Sequence, residues 1–284
     1  MLNIQSNILP SVETYVSPEQ KEKNPFSILS YNVEGVIISF LNPESTTQFS
    51  QVSKWQNKRV KEFWDRSLDN LNNGKITLEN LKINSLDQIK DRIGVKNCSK
   101  LLRLDLSQME KQDLKDLKFF NKLETLILNT RYASDDFKVL IDFPNIKNLY
   151  FINKNPDFST KPNRFINLCN TNIEKLYIFG CDTFSFIRFY ENKNIKKIKV
   201  KDSGVKIFLC TNSKKLEKLI FKNCPNFNHL DVNKAKIKKI NIELKTLKIV
   251  ELSKCNLENL DLNCFDGCPL EQAVYTDSLL KKPS

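Results

Sequence analysis

Ile195-Lys-Lys-Ile-Lys-Val200, Leu216-Glu-Lys-Leu-Ile-Phe221 and Ile237-Lys-Lys-Ile-Asn-Ile242 decide the fold. Each segment places apolar side chains at its first, fourth and sixth positions. The last two alternate with polar or long side chains, as a half-buried strand requires. The segments recur too regularly to be chance. They predict strands from successive turns of one repeating coil, stacked in parallel about 4.8 Å apart.

The same pattern extends in both directions. Upstream lie Leu78–Ile83, Leu101–Leu106, Leu123–Leu128, Ile146–Phe151 and Ile173–Ile178, and downstream Leu257–Leu262. The nine starts are 23, 22, 23, 27, 22, 21, 21 and 20 residues apart. Self-similarity at this period resembles the leucine-rich repeat, irregular here because isoleucine often replaces leucine. The resemblance covers residues 71–284 and implies a solenoid of about nine repeats, with a parallel sheet on its concave face.

The return segments change character along the chain. Ser107–Phe120 and Ser134–Phe143 read as helical, with Ser134 and the following acids suited to a helix start. Phe184–Ile187, Val205–Leu209, Phe227–Val232 and Leu247–Leu252 read as second strands. Residues 153–172 read as a long insertion. Cys181, Cys224 and Cys255 occupy the ninth position of their units, where a buried side chain bonds loop backbone.

Register predicts which side chains are neighbours. Second positions run Glu124, Lys147, Glu174, Lys196, Glu217, Lys238, Glu258, an alternation that pairs opposite charges on stacked strands. Third positions give a basic row, Lys175, Lys197, Lys218 and Lys239. Fifth positions give Tyr150, Tyr177, Lys199 and Ile220, and seventh positions Ile152, Phe179, Lys201 and Lys222. An exposed patch of Tyr150, Ile152, Tyr177 and Phe179 is thus expected beside a basic patch of Lys197, Lys199, Lys201 and Lys218. Aromatics beside charge suit a protein-binding face.

Both tryptophans fall outside the repeats, in residues 28–68. Helical spacing runs through Leu29, Val33, Val36, Ile37, Phe40 and Leu41, then Phe49, Val52 and Trp55, then Val60, Phe63 and Trp64. Asn42-Pro43 breaks the first two runs, with Pro43 suited to a first helical turn. The pattern of Leu29, Ile37-Ile38, Phe40-Leu41-Asn42-Pro43, Val52-Ser53-Lys54-Trp55 and Phe63-Trp64 resembles an F-box. It departs at Ser30, where that family has proline, and at Trp55, one residue early. The resemblance implies a three-helix F-box-like domain over residues 25–70, preceded by a mobile tail over 1–24. It further implies that Leu29, Ile37, Leu41, Pro43, Val52 and Trp55 face a Skp-type adaptor. The fold class expected is therefore α+β: F-box-like helices followed by an α/β repeat solenoid.

Chemistry is sparsely represented. The chain of 284 residues has one histidine, His229, in an expected strand and without a matching nucleophile motif. No glycine motif for nucleotides occurs among its six glycines. Cys264 and Cys268 approach a metal spacing but lack the usual partners, so no metal or cofactor is expected. The eight cysteines read as reduced and buried, consistent with a cytoplasmic chain. No apolar run reaches the length of a membrane span, and no signal sequence is recognised.

A net charge of +12 invites phosphate binding. Arginine is scarce on the expected face and no nucleic-acid motif appears, so an acidic protein is the more economical partner. An F-box followed by leucine-rich repeats resembles the substrate receptors of SCF-type cullin–RING ubiquitin ligases. The resemblance implies a non-catalytic adaptor that raises the local concentration of its substrate. The resemblance implies a eukaryotic cytosol, and the composition suits an AT-rich protist, or a large virus of protists or an intracellular bacterium whose protein acts in a host cytosol. The alternatives are a repeat protein that binds without ubiquitin, its N-terminal helices serving as a cap, and a basic phosphate-binding surface.

Overall fold

The computed structural model describes residues 54–130, 132, 134–153, 164–243, 246–257 and 260–278. The chain divides into two compact units, Met1–Phe63 and Trp64–Ser284. The expected adaptor-facing Leu29, Ile37, Leu41, Pro43 and Val52 lie outside the described residues, as does the side chain of Trp55.

Helix α1 (Lys54–Asn72) begins in the first unit and ends in the second. Trp64, Leu68 and Leu71 recur at helical spacing and are buried, so one face of its second half belongs to a core. Gly74 at φ 68° ends the helix, its N–H bonding to Leu71. The Asn72 carboxamide then joins the helix end to the repeats, accepting from Leu102 N–H at 2.7 Å and donating to the Lys100 carbonyl at 3.2 Å. Helix α2 (Leu86–Ile93) starts at Ser85, whose hydroxyl accepts from Gln88 N–H at 3.1 Å. Gln88 reaches back to Asn84 N–H at 2.7 Å, completing a reciprocal cap.

Two parallel sheets follow. Among the described residues the first has seven strands: β1 (Arg103–Asp105), β2 (Thr125–Leu128), β3 (Asn148–Ile152), β5 (Lys175–Phe179), β7 (Lys197–Lys201), β9 (Lys218–Lys222) and β11 (Lys239–Ile242). The second has six: β4 (Arg164–Cys169), β6 (Phe184–Tyr190), β8 (Ile207–Thr211), β10 (His229–Asn233), β12 (Ile249–Ser253) and β13 (Gln272–Val274). From β3 to β12 the chain alternates between sheets, adding one strand to each per turn. This is a parallel two-sheet solenoid with a few helices at its N-terminal end.

Alternate side chains of both sheets point inward and bury completely, among them Leu176, Ile178, Phe189, Phe208, Leu219 and Leu230. Each contributes about 1.5–3 kcal/mol relative to exposure. Aromatic rings link successive turns: Phe151 meets Phe184 edge-on at 5.3 Å, Phe208 meets Phe221 at 5.5 Å, and Phe221 stacks on Phe227 at 4.0 Å.

Two kinds of corner close each turn. Most strands from β4 onward exit through a left-handed residue, such as Gly180, Glu191, Asp202, Asn212 or Lys254. The next residue turns inward. In the cysteine corners its side chain bonds a strand-end carbonyl that also accepts a backbone N–H from the neighbouring turn. Cys181 donates to the Phe179 carbonyl, Cys224 to that of Lys222 and Cys255 to that of Ser253, the role expected for these ninth positions. Asn192 does more: it donates to the Leu168 carbonyl at 2.6 Å and accepts from Thr171 N–H at 3.0 Å and Thr171 Oγ1 at 2.6 Å.

The structure departs from the expected strands in three places. Leu78–Ile83 forms a 3₁₀ turn over Glu79–Leu81, although Leu78, Leu81 and Ile83 are buried as expected. Thr77 and Asn80 cap each other's backbone N–H groups at 2.7 and 3.3 Å, which favours the turn over the strand. At the other end, Asp261 caps a 3₁₀ turn over Leu262–Phe265 where the ninth strand was expected to finish. The first sheet therefore has seven strands among the described residues where nine units were expected. Third, residues 153–172 are no mere insertion, because β4 lies within them and pairs with β6. The early returns are 3₁₀ segments, Leu114–Phe119 and Ser134–Asp142.

Candidate functional face

The outward side of the first sheet gathers the expected binding residues. Tyr150, Tyr177 and Lys199 are neighbours across β3, β5 and β7. Ile152, Phe179 and Lys201 form the next row, and Lys175, Lys197, Lys218 and Lys239 a third across β5, β7, β9 and β11. Parallel pairing without slippage places each residue where the apolar spacing assigns it.

The aromatic and basic patches interlock rather than merely adjoin. Tyr150 and Tyr177 stack at 4.6 Å with planes 12° apart, and Tyr177 approaches Phe179 at 6.0 Å. Lys197 Nζ lies 5.4 Å from the Tyr177 ring centre, and Lys199 Nζ lies 5.5 Å from that of Phe179. Each such contact is worth about 0.5–1 kcal/mol at an exposed site. The four apolar members are consequently half-buried, not exposed as the sequence suggested. Burial raises the Tyr150 hydroxyl above its ordinary pKa of 10.0, and the Tyr177 hydroxyl adds to the rise. The Tyr150 hydroxyl therefore stays protonated and can donate at neutral pH.

The basic row offers ammonium groups of different freedom. Lys201 is 3.1 Å from the Asp202 carboxylate and Lys222 is 3.1 Å from that of Glu243. Lys218 is exposed and forms no ion pair among the described residues. The face can therefore offer a partner flat aromatic surface, tyrosine hydroxyls and ammonium groups within three neighbouring strands.

The alternating ladder at the second positions is also present. Glu124 pairs with Lys147 at 3.6 Å, Glu174 with Lys196 at 2.7 Å and Glu217 with Lys238 at 2.8 Å. Glu258 lies outside the described residues.

The second sheet presents an outward row that the sequence reading did not assign to a face: Phe165, Phe186, Ile207, His229 and Ile249. Phe165 is 53% exposed and Tyr190 37%, so aromatic surface is not confined to the first sheet. His229 takes an outward position on β10, as expected of a strand histidine, and is half-buried.

The thiols are poorly suited to nucleophilic chemistry. Burial pushes Cys98 and Cys224 up to about 11, and Cys181 and Cys210 up to about 12, so thiolate is scarce at neutral pH. Among the described residues no group of three His, Cys, Asp or Glu side chains is placed to hold a metal ion. Likewise no described helix is long and apolar enough to cross a membrane. Comparison with known proteins finds no family model, no curated relative and no solved structure that matches the chain.

Proposed function

We propose that this chain is a non-catalytic substrate receptor of a cullin–RING ubiquitin ligase in the cytoplasm. Its first-sheet face holds an acidic protein partner, and its F-box-like segment binds a Skp-type adaptor. The observation that carries the binding role is the Tyr150–Tyr177 stack flanked by Lys197 and Lys199. Such a face combines rigid aromatic area with charge, the composition of interface hot spots. The adaptor role rests on the sequence of residues 28–68 and on their position ahead of a leucine-rich-repeat-like solenoid.

A pull-down with the Skp adaptor tests the adaptor role. Wild type is expected to be retained, and a Leu41→Ala/Pro43→Ala double mutant to be lost. Equal retention of the two, or retention of neither, refutes it. Proximity labelling of candidate substrates tests the face: Tyr177→Ala with Lys199→Ala should remove acidic partners while leaving adaptor binding intact.

A second reading is a solenoid that binds partners without ubiquitin, its N-terminal helices acting as a cap. It is favoured by α1, whose buried Trp64, Leu68 and Leu71 and whose Asn72 and Asp65 contacts tie residues 64–72 to the first coil. That reading predicts partner capture with no adaptor in the complex.

A further inference from the structure

The two corners of the coil differ in what they show to solvent. Leaving the first sheet, the left-handed Gly180, Asp202 and Asn223 are followed two residues on by Asp182, Gly204 and Pro225. Among the described residues these positions carry two acids and no lysine. Leaving the second sheet, Asp277 follows β13, and the other left-handed residues are Asn170, Glu191, Asn212, Lys234 and Lys254. Two residues on from these come Asn172, Lys193, Lys214, Lys236 and Asn256. The five lysines of this corner are all exposed, because the residue between each pair is the one that turns inward. A lysine-rich composition alone would stock both corners. Segregation to one of them is a property of the surface, which a whole-chain charge does not reveal.

The lysines line two adjoining cavities along this edge. A cavity of about 770 Å³ takes in Lys193, Lys214, Lys215 and Lys234. A second of about 380 Å³ shares Lys214 and Lys234 with it and adds Lys236 and Lys254. Glu191 and Asp277 are the carboxylates among the lining residues, so six lysines less two acids leave +4. Lys215 donates to Asn194 at 2.9 Å, whereas the other five form no ion pair among the described residues. Lysines of the ladder, by contrast, are matched to glutamates.

We propose that this edge binds a run of phosphates, as in the backbone of a single-stranded polynucleotide, lying along the stacking direction of the coils. Three features select that chemistry. Positive charge is renewed on successive turns, about 4.8 Å apart, so a linear polyanion is matched where a single ion is not. Lysine, the cation of this lining, binds phosphate as a point charge with no fixed orientation of the anion. Asparagine amides between the lysines add neutral donors. No aromatic ring lines either cavity, so bases gain no stacking platform and binding is indifferent to sequence.

The test is fluorescence anisotropy of the full chain with a labelled oligothymidylate of roughly a dozen residues. Six lysine contacts give a slope of log K against log salt of about −4, or roughly 300-fold weaker binding between about 50 and 200 mM salt. Lys193→Gln/Lys214→Gln/Lys234→Gln should halve that slope, to roughly 20-fold over the same range, with an unchanged circular dichroism spectrum and melt. The corresponding arginine triple should keep the slope, because charge is retained. Lys197→Gln/Lys199→Gln/Lys201→Gln on the first-sheet face should leave it unaltered, which separates this edge from the protein-binding reading. Inorganic polyphosphate should displace the oligonucleotide; binding of polyphosphate alone would assign the edge to free phosphate chains. The proposal is overturned if neither phosphate polymer binds at low salt, if poly-glutamate of matched charge competes equally, or if the first-sheet triple abolishes binding and the corner triple does not.

Discussion

The two sheets enclose one core at one coil spacing, yet their outward strand positions meet charge differently, although Lys248 pairs with Glu271 beside the second sheet as the ladder does beside the first. On the first sheet, glutamates meet lysines from the neighbouring turn, and the lysine contact holds Glu174 and Glu217 below the ordinary value of 4.5. On the second, Asp231 stands directly opposite Glu251. Burial first, and Glu251 second, raise the Asp231 carboxyl above its ordinary 3.8, while His229 pulls it back. Inward positions are dictated by the shared core and are alike in both sheets. Outward positions are not, so they record what each face is for: a matched, register-setting, charge-rich face on one side and a more apolar one on the other.

What the sheets share is broken most severely at their corners. Asn192→Ala should cost about 2–4 kcal/mol, because the Leu168 carbonyl and the Thr171 N–H and hydroxyl would be left buried and unpaired. Urea midpoints against wild type measure it. A loss below about 0.5 kcal/mol would mean that the second-sheet corner does not depend on this side chain. The opposite corner depends on absence of a side chain. A Cβ on Gly204 would lie 2.5 Å from the Asp182 carbonyl oxygen, so Gly204→Ala should cost about 1–3 kcal/mol through displaced backbone.

The first-sheet face invites a smaller measurement. A double-mutant cycle of Tyr150→Leu and Tyr177→Leu should return a coupling of about 0.5–1.5 kcal/mol from ring stacking at 4.6 Å. Additive losses would show that the rings stack without mutual stabilisation, and the face would lose its claim to be preorganised for a partner.

Much of this contrast is legible in the sequence because apolar spacing fixes register, and register fixes outward neighbours. That is why the rows of Tyr150, Tyr177 and Lys199, and of Lys175, Lys197 and Lys218, could be written down from residue numbers. The same spacing fails at the ends. Leu78, Leu81 and Ile83 are buried, but the Thr77–Asn80 cap folds them as a turn; apolar pattern reports burial, not backbone conformation. Strand β4 is hidden because it follows a polar stretch and its unit runs longer than the others. The lysine edge escaped for another reason. Its members come from positions eight and ten of the return half-units, and they become one surface only once the left-handed corners are known.

The smallest expected effect is the most direct test of the charge contrast, because its sign differs between the sheets. Glu174 has a folded pKa below its unfolded one. Its contribution is therefore present above about pH 4.5 and is lost as pH falls through the folded value. Asp231 has a folded pKa above its unfolded 3.8, so its charge opposes folding: stability falls as pH rises from 3.8 through the folded value. Lys196→Gln should lower stability at neutral pH by under ~1 kcal/mol and flatten the acid-side loss. Asp231→Asn should raise neutral-pH stability by a few tenths, up to ~1 kcal/mol, by relieving the like-charge rung with Glu251. Melting both variants between about pH 3.5 and 7 reads the two signs side by side. The reverse pattern, with Lys196→Gln stabilising and Asp231→Asn destabilising, would mean that the net charge of +12, rather than the pairing on each face, governs them. Opposite shifts that shrink together in high salt are what face-specific pairing requires, since exposed pairs are screened and the shared core is not.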